Sequence, residues 1–342
     1  QVDFRATTPF VIVEEGETLA ARISGRAGRP GMTVGGEEIS PEEKTAPSLS
    51  PGPNVRKEGD YYVAAVTGRL VWDERRFRVN EVLELADGVD YRTGHIDFPG
   101  DVVIHKAVRD GFRVSASGSV FCLDTLDASE VRCGGDLFAH KGIIGRNQAI
   151  VTVDGRVEAK YVENCYLAAK GSVSASVGII NSLVNSLETV ETGKKGIIVG
   201  GKVFALHGIR AGQLGSQMGP HTQLFCGIDF RVSHRLAWIQ DRSTEIAEKL
   251  KQLERRLSAQ PENPEQLREA RRKLTGAREK LRRKAEELVV HLDKDDTAKI
   301  CVGGKCYPGV YVEISHVAYQ VRKAMSRRCF VLNKERGEIE LR

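Results

Sequence analysis

A short pattern centred on glycine returns six times between residues 96 and 205 and restricts the possible folds more than any other feature of this chain. Two and four residues to either side of Gly100 stand Ile96, Phe98, Val102 and Ile104; around Gly118 stand Val114, Ala116, Val120 and Cys122. The same places hold Val131, Cys133, Leu137 and Ala139 around Gly135, and Val151, Val153, Val157 and Ala159 around Gly155. Around Gly171 they hold Leu167, Ala169, Val173 and Ala175, and around Gly201 they hold Ile197, Val199, Val203 and Ala205. All twenty-four are apolar or small. Alternation of period two places one face of a strand in a core and the other in water, so each copy reads as two short strands. The central glycine lets the chain bend or approach a neighbour closely between them.

Successive glycines are 18, 17, 20, 16 and 30 residues apart. That spacing belongs to stacked coils, since hairpins would show turn signals every 8 to 12 residues or so. One coil cannot bury its own apolar face, but a stack gives each inward residue a like neighbour above and below, at about 1.5 to 3 kcal/mol for a large side chain. A left-handed hexapeptide helix would need a six-residue period, which 17, 20 and 16 do not fit. The pattern therefore predicts a mainly β chain built on a right-handed parallel β-helix, over the alternative of an antiparallel sandwich with glycine-rich turns. Ser176 to Gly196 reads as an expanded coil or side loop, and Asn164 and Asn181, one coil apart, as an asparagine ladder at a turn.

Residues 1–82 read as a separate small β-rich domain with 11 basic and 13 acidic side chains and loops at Arg29-Pro30-Gly31 and Pro47 to Pro53. The solenoid is expected over 83–232 and again over 296–342, where Ile300, Val302, Cys306, Val310, Val312 and Ile314 resume the alternation and Val317 to Leu341 closes the open end. Between these segments, 233–295 carries two heptad seams: Leu236, Ile239, Ser243, Ile246, Leu250, Leu253, Leu257, then Leu267, Ala270, Leu274, Ala277, Leu281, Lys284, Leu288. Asn263-Pro264 with Gln266 supplies a cap, a first-turn proline and a capping partner for the second helix. The segment is thus an antiparallel helical hairpin, a coiled coil inserted in the β-helix and projecting about 35 Å from it.

Chemistry-bearing groups are sparse. Seven cysteines are scattered, with Cys122 and Cys133 at inward positions, a usage that fits a reducing cytoplasm. Cys301 and Cys306 enclose four residues and could form half a zinc site or a disulfide, but Cys306 falls at an inward position, so packing is the stronger reading and neither metal nor cofactor is expected. His140 and His207 each lie five residues after a repeat glycine and are expected to share one corner. Asp101 and Asp136 are equivalent outward carboxylates, but Ser119 and Arg156 hold the equivalent places in other coils, which argues against a polysaccharide-cleaving acidic cluster. The hairpin carries 15 basic and 10 acidic residues over 233–292, an excess equal to the net charge of +5. Arg268, Arg271, Arg272, Lys273, Arg278, Arg282 and Arg283 on its second helix are the candidate partner-binding residues. A solvated helix face is their bland explanation; an acidic protein surface is the preferred ligand, because interleaved aromatics for nucleic acid are lacking. No apolar run is long enough to span a membrane.

The run Lys195-Gly196-Ile197-Ile198-Val199-Gly200-Gly201-Lys202-Val203-Phe204-Ala205, with Ile209-Arg210-Ala211 and Leu214-Gly215-Ser216, resembles the flagellar assembly protein A family. The resemblance extends to Asp90-Tyr91-Arg92-Thr93-Gly94-His95-Ile96-Asp97-Phe98, to Gly28 through Gly36, to the helical insertion and to Tyr307-Pro308-Gly309-Val310. It implies a β-solenoid protein of the bacterial cytoplasm, tied in some members to flagellar assembly and polar organisation through protein contacts, with no catalytic residues to carry over. The expectation is a non-enzymatic scaffold or adaptor, with self-association through a solenoid end or the coiled coil as a second mode of contact. A carbohydrate-active solenoid is the first alternative and a nucleic-acid-binding protein the second.

Overall fold

The computed structural model describes residues 9–23, 25–42, 50–73, 75–258, 264–290 and 295–342. From Val82–Leu85 onward, parallel strands stack into a solenoid of about eight turns. Three columns of like residues run through its interior. One runs Ile96, Val114, Val131, Val151, Leu167, Val184, Val203, Leu224, Val312, each paired with the next coil up. A second runs Leu83, Val102, Val120, Leu137, Val157, Val173, Val190, Ile209, Ile300. The third runs Val89, Val108, Leu126, Ile143, Val162, Ile179, Ile198, Leu214, Cys306. All of these side chains are buried in one continuous core, as stacking of one-sided strands requires.

The glycine of each repeat stands at the corner between the first and second columns. There Gly118 donates its N–H to Gly100 O at 3.1 Å, Gly135 to Gly118 O at 2.8 Å, Gly155 to Gly135 O at 2.9 Å and Gly171 to Gly155 O at 2.9 Å. A Cβ on Gly171 would lie 2.7 Å from Gly155 O. The residue is required by close approach of backbones, since these corner glycines do not adopt positive φ. Above Gly171 the requirement lapses. Glu188 and His207 take the corner place, with the His207 N–H on Glu188 O at 2.9 Å.

That substitution corrects two readings of the sequence. Residues 176–196 form a regular coil and no side loop: Val184 pairs with Leu167 and Val203, and Val190 with Val173 and Ile209. Gly201, in turn, does not stand at the corner of the other five; Val203 and Ala205 precede that corner at His207, and Ile198, between Ile197 and Val199, is the buried residue of the third column. Gly200 and Gly201, at φ 72° and 73°, belong to a different corner. That corner carries the asparagine ladder: Asn147, Asn164 and Asn181 adopt φ of 64°, 51° and 46°, a left-handed conformation that asparagine tolerates better than most residues. His140 and His207 occupy different corners, because His140 follows the second strand of its coil and His207 precedes it.

The chain before the solenoid forms short strands in three small sheets around Val13, Ala64 and Val79, with no helix among its described residues. Phe10 from this region packs on the solenoid core. At the other end the grammar reverses. Val317–Gln320, Met325–Asn333 and Glu338–Leu341 run antiparallel over the last coil, burying Val321, Phe330 and Ile339. The edges of the top coil are thereby paired.

Between Thr222–Cys226 and Lys299–Cys306 the chain leaves the stack for α1 (Phe230–Ser258) and α2 (Pro264–Val289). Ile239 and Ile246 are buried in α1, and the helices have each other as their main packing partner. At 1.5 Å per residue they are about 43 and 39 Å long, somewhat more than the seams alone suggest. The α2 seam passes through the half-buried Ala285, and Lys284 is exposed; a shift of one residue keeps the apolar stripe facing α1. Asn263 lies outside the described residues.

Candidate functional site

The arm emerges at the corner where lower coils carry glycine. Strand Thr222–Cys226 stacks on Ile197–Ala205 and strand Lys299–Cys306 on Gly208–Ala211, so the whole hairpin replaces one corner residue and neither column is broken. Two devices fix its root. The buried Asp229 caps α1: its Oδ1 accepts the Arg231 N–H at 3.0 Å, and the Arg231 guanidinium returns to the carboxylate at 3.1 and 2.9 Å. A carboxylate here satisfies a free helix N–H and complements the positive helix end. On the returning chain, Asp295 Oδ2 lies 2.8 Å from Nδ1 of His207, whose Nε2 is 3.8 Å from Glu188. Burial works against the Asp295 charge, but hydrogen bonds from Thr297 and His207 outweigh it and hold the carboxyl below its ordinary range. The aromatic ladder Phe204–Phe225 (centroids 4.4 Å apart) and the edge contacts of His234 with Phe204 and Phe230 brace α1 from below.

All seven candidate residues on α2 are exposed, but they divide into two sets. Lys273 pairs with Glu269 at 2.7 Å; Arg282 bridges Glu279 and Glu286 at 2.8 and 3.1 Å; Arg283 reaches Glu279 at 3.4 Å. Arg268, Arg271, Arg272 and Arg278 make no ion pair among the described residues. At 100° per residue these four fall within an arc of about 120° that starts beside the apolar stripe, at Arg278, and runs round to the outer face at Arg272, over about 15 Å of the tip-side and middle part of α2. Three of the seven positive charges are therefore partly spent within the helix, and four face solvent.

The remaining groups singled out in the sequence have structural partners. Asp101 Oδ1 accepts the Ser119 N–H at 2.7 Å, Ser119 Oγ accepts the Asp136 N–H at 3.1 Å, and Asp136 accepts the Arg156 N–H at 2.9 Å and its guanidinium at 3.1 Å. They form a side-chain ladder beside the glycine corner. Phe121 and Phe138 stack face to face at 4.9 Å, with Arg156 over the second ring, which leaves their edges outward. Among the described residues no group of His, Cys, Asp and Glu could hold a metal ion. Cys306 is buried, as its inward position requires, whereas Cys301 is bonded to Cys329, a pairing the spacing of the sequence does not announce. The His207–Asp295 contact was equally hidden, being 88 residues apart; Asp229 could have been read as a helix cap.

Fold and site together define a capped parallel β-solenoid that carries a basic helical arm on one corner. Its sequence matches the Flagellar Assembly Protein A beta solenoid domain over residues 81–339 and the Flagellar Assembly Protein A N-terminal region over residues 1–75. The chain belongs to the flagellar assembly protein A family. No curated protein and no solved structure matches it. No helix among the described residues is long and apolar enough to cross a membrane.

Proposed function

We propose that this chain is a non-enzymatic scaffold or adaptor of the bacterial cytoplasm that serves flagellar assembly or polar organisation through protein contacts made by its arm. The observation that carries this reading is the arm itself, about 40 Å long, fixed at its root and presenting Arg268, Arg271, Arg272 and Arg278 without ion-pair partners in the described structure. Guanidinium groups bind carboxylates with two parallel hydrogen bonds, so an acidic protein surface is the ligand class that suits them. α2 contains no aromatic residue on which bases could stack.

The test is capture from a cytosolic extract, with and without nuclease, by the full chain and by a variant in which the four arginines are changed to glutamate. Capture should survive nuclease, weaken with salt while keeping an apolar component, and disappear in the variant at an unchanged thermal midpoint. Undiminished capture by the variant would refute the reading. Capture lost to nuclease, with a fall of about 10³ to 10⁵ in affinity between 50 and 200 mM salt as for 6 to 10 phosphate contacts, would replace it with nucleic-acid binding. In a flagellated host the same variant should accumulate normally and lower the number of flagellated cells.

A further inference from the structure

The seven cysteines separate sharply by position. Cys122, Cys133, Cys165, Cys226 and Cys306 are buried as free thiols, and burial pushes each upward, Cys122 to about 11 and Cys165 and Cys306 to about 12. Buried thiols of this kind carry almost no thiolate near neutral pH and are poor nucleophiles. Cys301 and Cys329 alone face outward, half-buried, and they stand directly opposite each other where Lys299–Cys306 runs antiparallel to Met325–Asn333. Their Cα atoms are 4.1 Å apart and the sulfurs are bonded. One strand of this pair is the first after the arm returns to the stack; the other belongs to the sheet that covers the solenoid's end.

We infer that Cys301 and Cys329 are a reversible redox modification site, a clamp that fastens the end cap to the strand on which the arm is seated. The oxidant class is a small thiol disulfide such as oxidised glutathione. One protein thiolate attacks it, giving a mixed disulfide and one small thiol; the second protein thiolate attacks the protein sulfur of that intermediate, closes the Cys301–Cys329 bond and releases the second small thiol. Two electrons and two protons leave the protein thiols and two small thiols are formed. A disulfide that is partly open to solvent can be reached by a small thiol, and a pair held opposite in a sheet needs no rearrangement to close again. Reduction leaves 325–341 held by strand hydrogen bonds, by the packing of Met325, Phe330, Leu332 and Ile339 and by the Lys334–Asp296 ion pair, with no covalent tie. Oxidation closes a loop 28 residues long around the cap.

The full chain is equilibrated in glutathione buffers from fully reduced to fully oxidised, then read by intact mass, by alkylation under native conditions and by hydrogen exchange. The expected results are a loss of two hydrogens on oxidation, native labelling of Cys301 and Cys329 alone after reduction, and amide exchange in 325–333 slowed at least tenfold in the oxidised form. Cys301→Ser/Cys329→Ser should exchange like the reduced protein in every buffer. Persistent glutathione adducts with no closed bond, native labelling of the other cysteines alongside these two, or equal exchange in both redox forms would each overturn the inference.

Discussion

Val157 is fully buried between Leu137 below and Val173 above, so a charge placed there has neither water nor a partner. Val157→Asp should cost several kcal/mol and lower the urea midpoint sharply; an unchanged midpoint and slope would show that the inward phase is wrong. A second residue-scale expectation concerns pH. The Asp295 carboxyl is held below its ordinary value in the folded chain, so its contribution to stability is present above the unfolded pKa of about 3.9 and lost as pH falls through the depressed folded value. Asp295→Asn should therefore flatten the acid limb of the stability curve below about pH 4 and leave stability at higher acid concentrations nearly equal to the parent. Parallel curves for parent and variant would show that the His207 and Thr297 contacts do not hold that charge.

At the scale of elements, strands were legible where a glycine marked the corner and illegible where it did not. Five consecutive glycines gave the right phase because backbone contact leaves no room for a side chain at Gly100 through Gly171. Glu188 and His207 stand at the same corner without that constraint, so the pattern has no glycine to mark it there, and Gly201, which fits the apolar spacing, answers a different need for positive φ. The helices were legible from their heptads to within a turn, and the basic face with them; the division of that face into paired and unpaired arginines depends on which glutamates fall one turn away, as Glu279 does for Arg282 and Arg283. Replacing 230–294 by a short Gly/Ser linker should remove the helical part of the circular dichroism spectrum and keep the strand part, since both flanking strands are seated on the coil below. Loss of the strand signal as well would mean that the arm is needed to fold the body. Asp229→Ala, by contrast, should keep the arm and destabilise its root by about 1 kcal/mol, seen as faster hydrogen exchange in the first turn of α1.

For the whole molecule, the two ends matter as much as the stack. A parallel solenoid offers open strand edges at both ends, and here the last coil is covered by antiparallel strands while Phe10 and the buried Leu83, Leu85 and Val89 mark the covered first coil. Removing residues 324–342 should uncover Ile300 and Val302 and drive end-to-end association, measured as a mass increase in sedimentation. A monodisperse truncated chain would show that the cap is not what keeps the end closed.

The arm occupies a corner that recurs once per coil, and coils rise by one strand spacing, about 4.8 Å. The solenoid therefore works as a graduated ruler: the sequence position of the insertion sets the height of the arm above the first coil in steps of about 4.8 Å, with no redesign of the core. Transplanting the hairpin to the place of His207, one graduation lower, should give a folded chain that lacks the His207–Asp295 contact and has its tip moved by a single step. Distances between a label on the tip and one on the first coil would read that step directly.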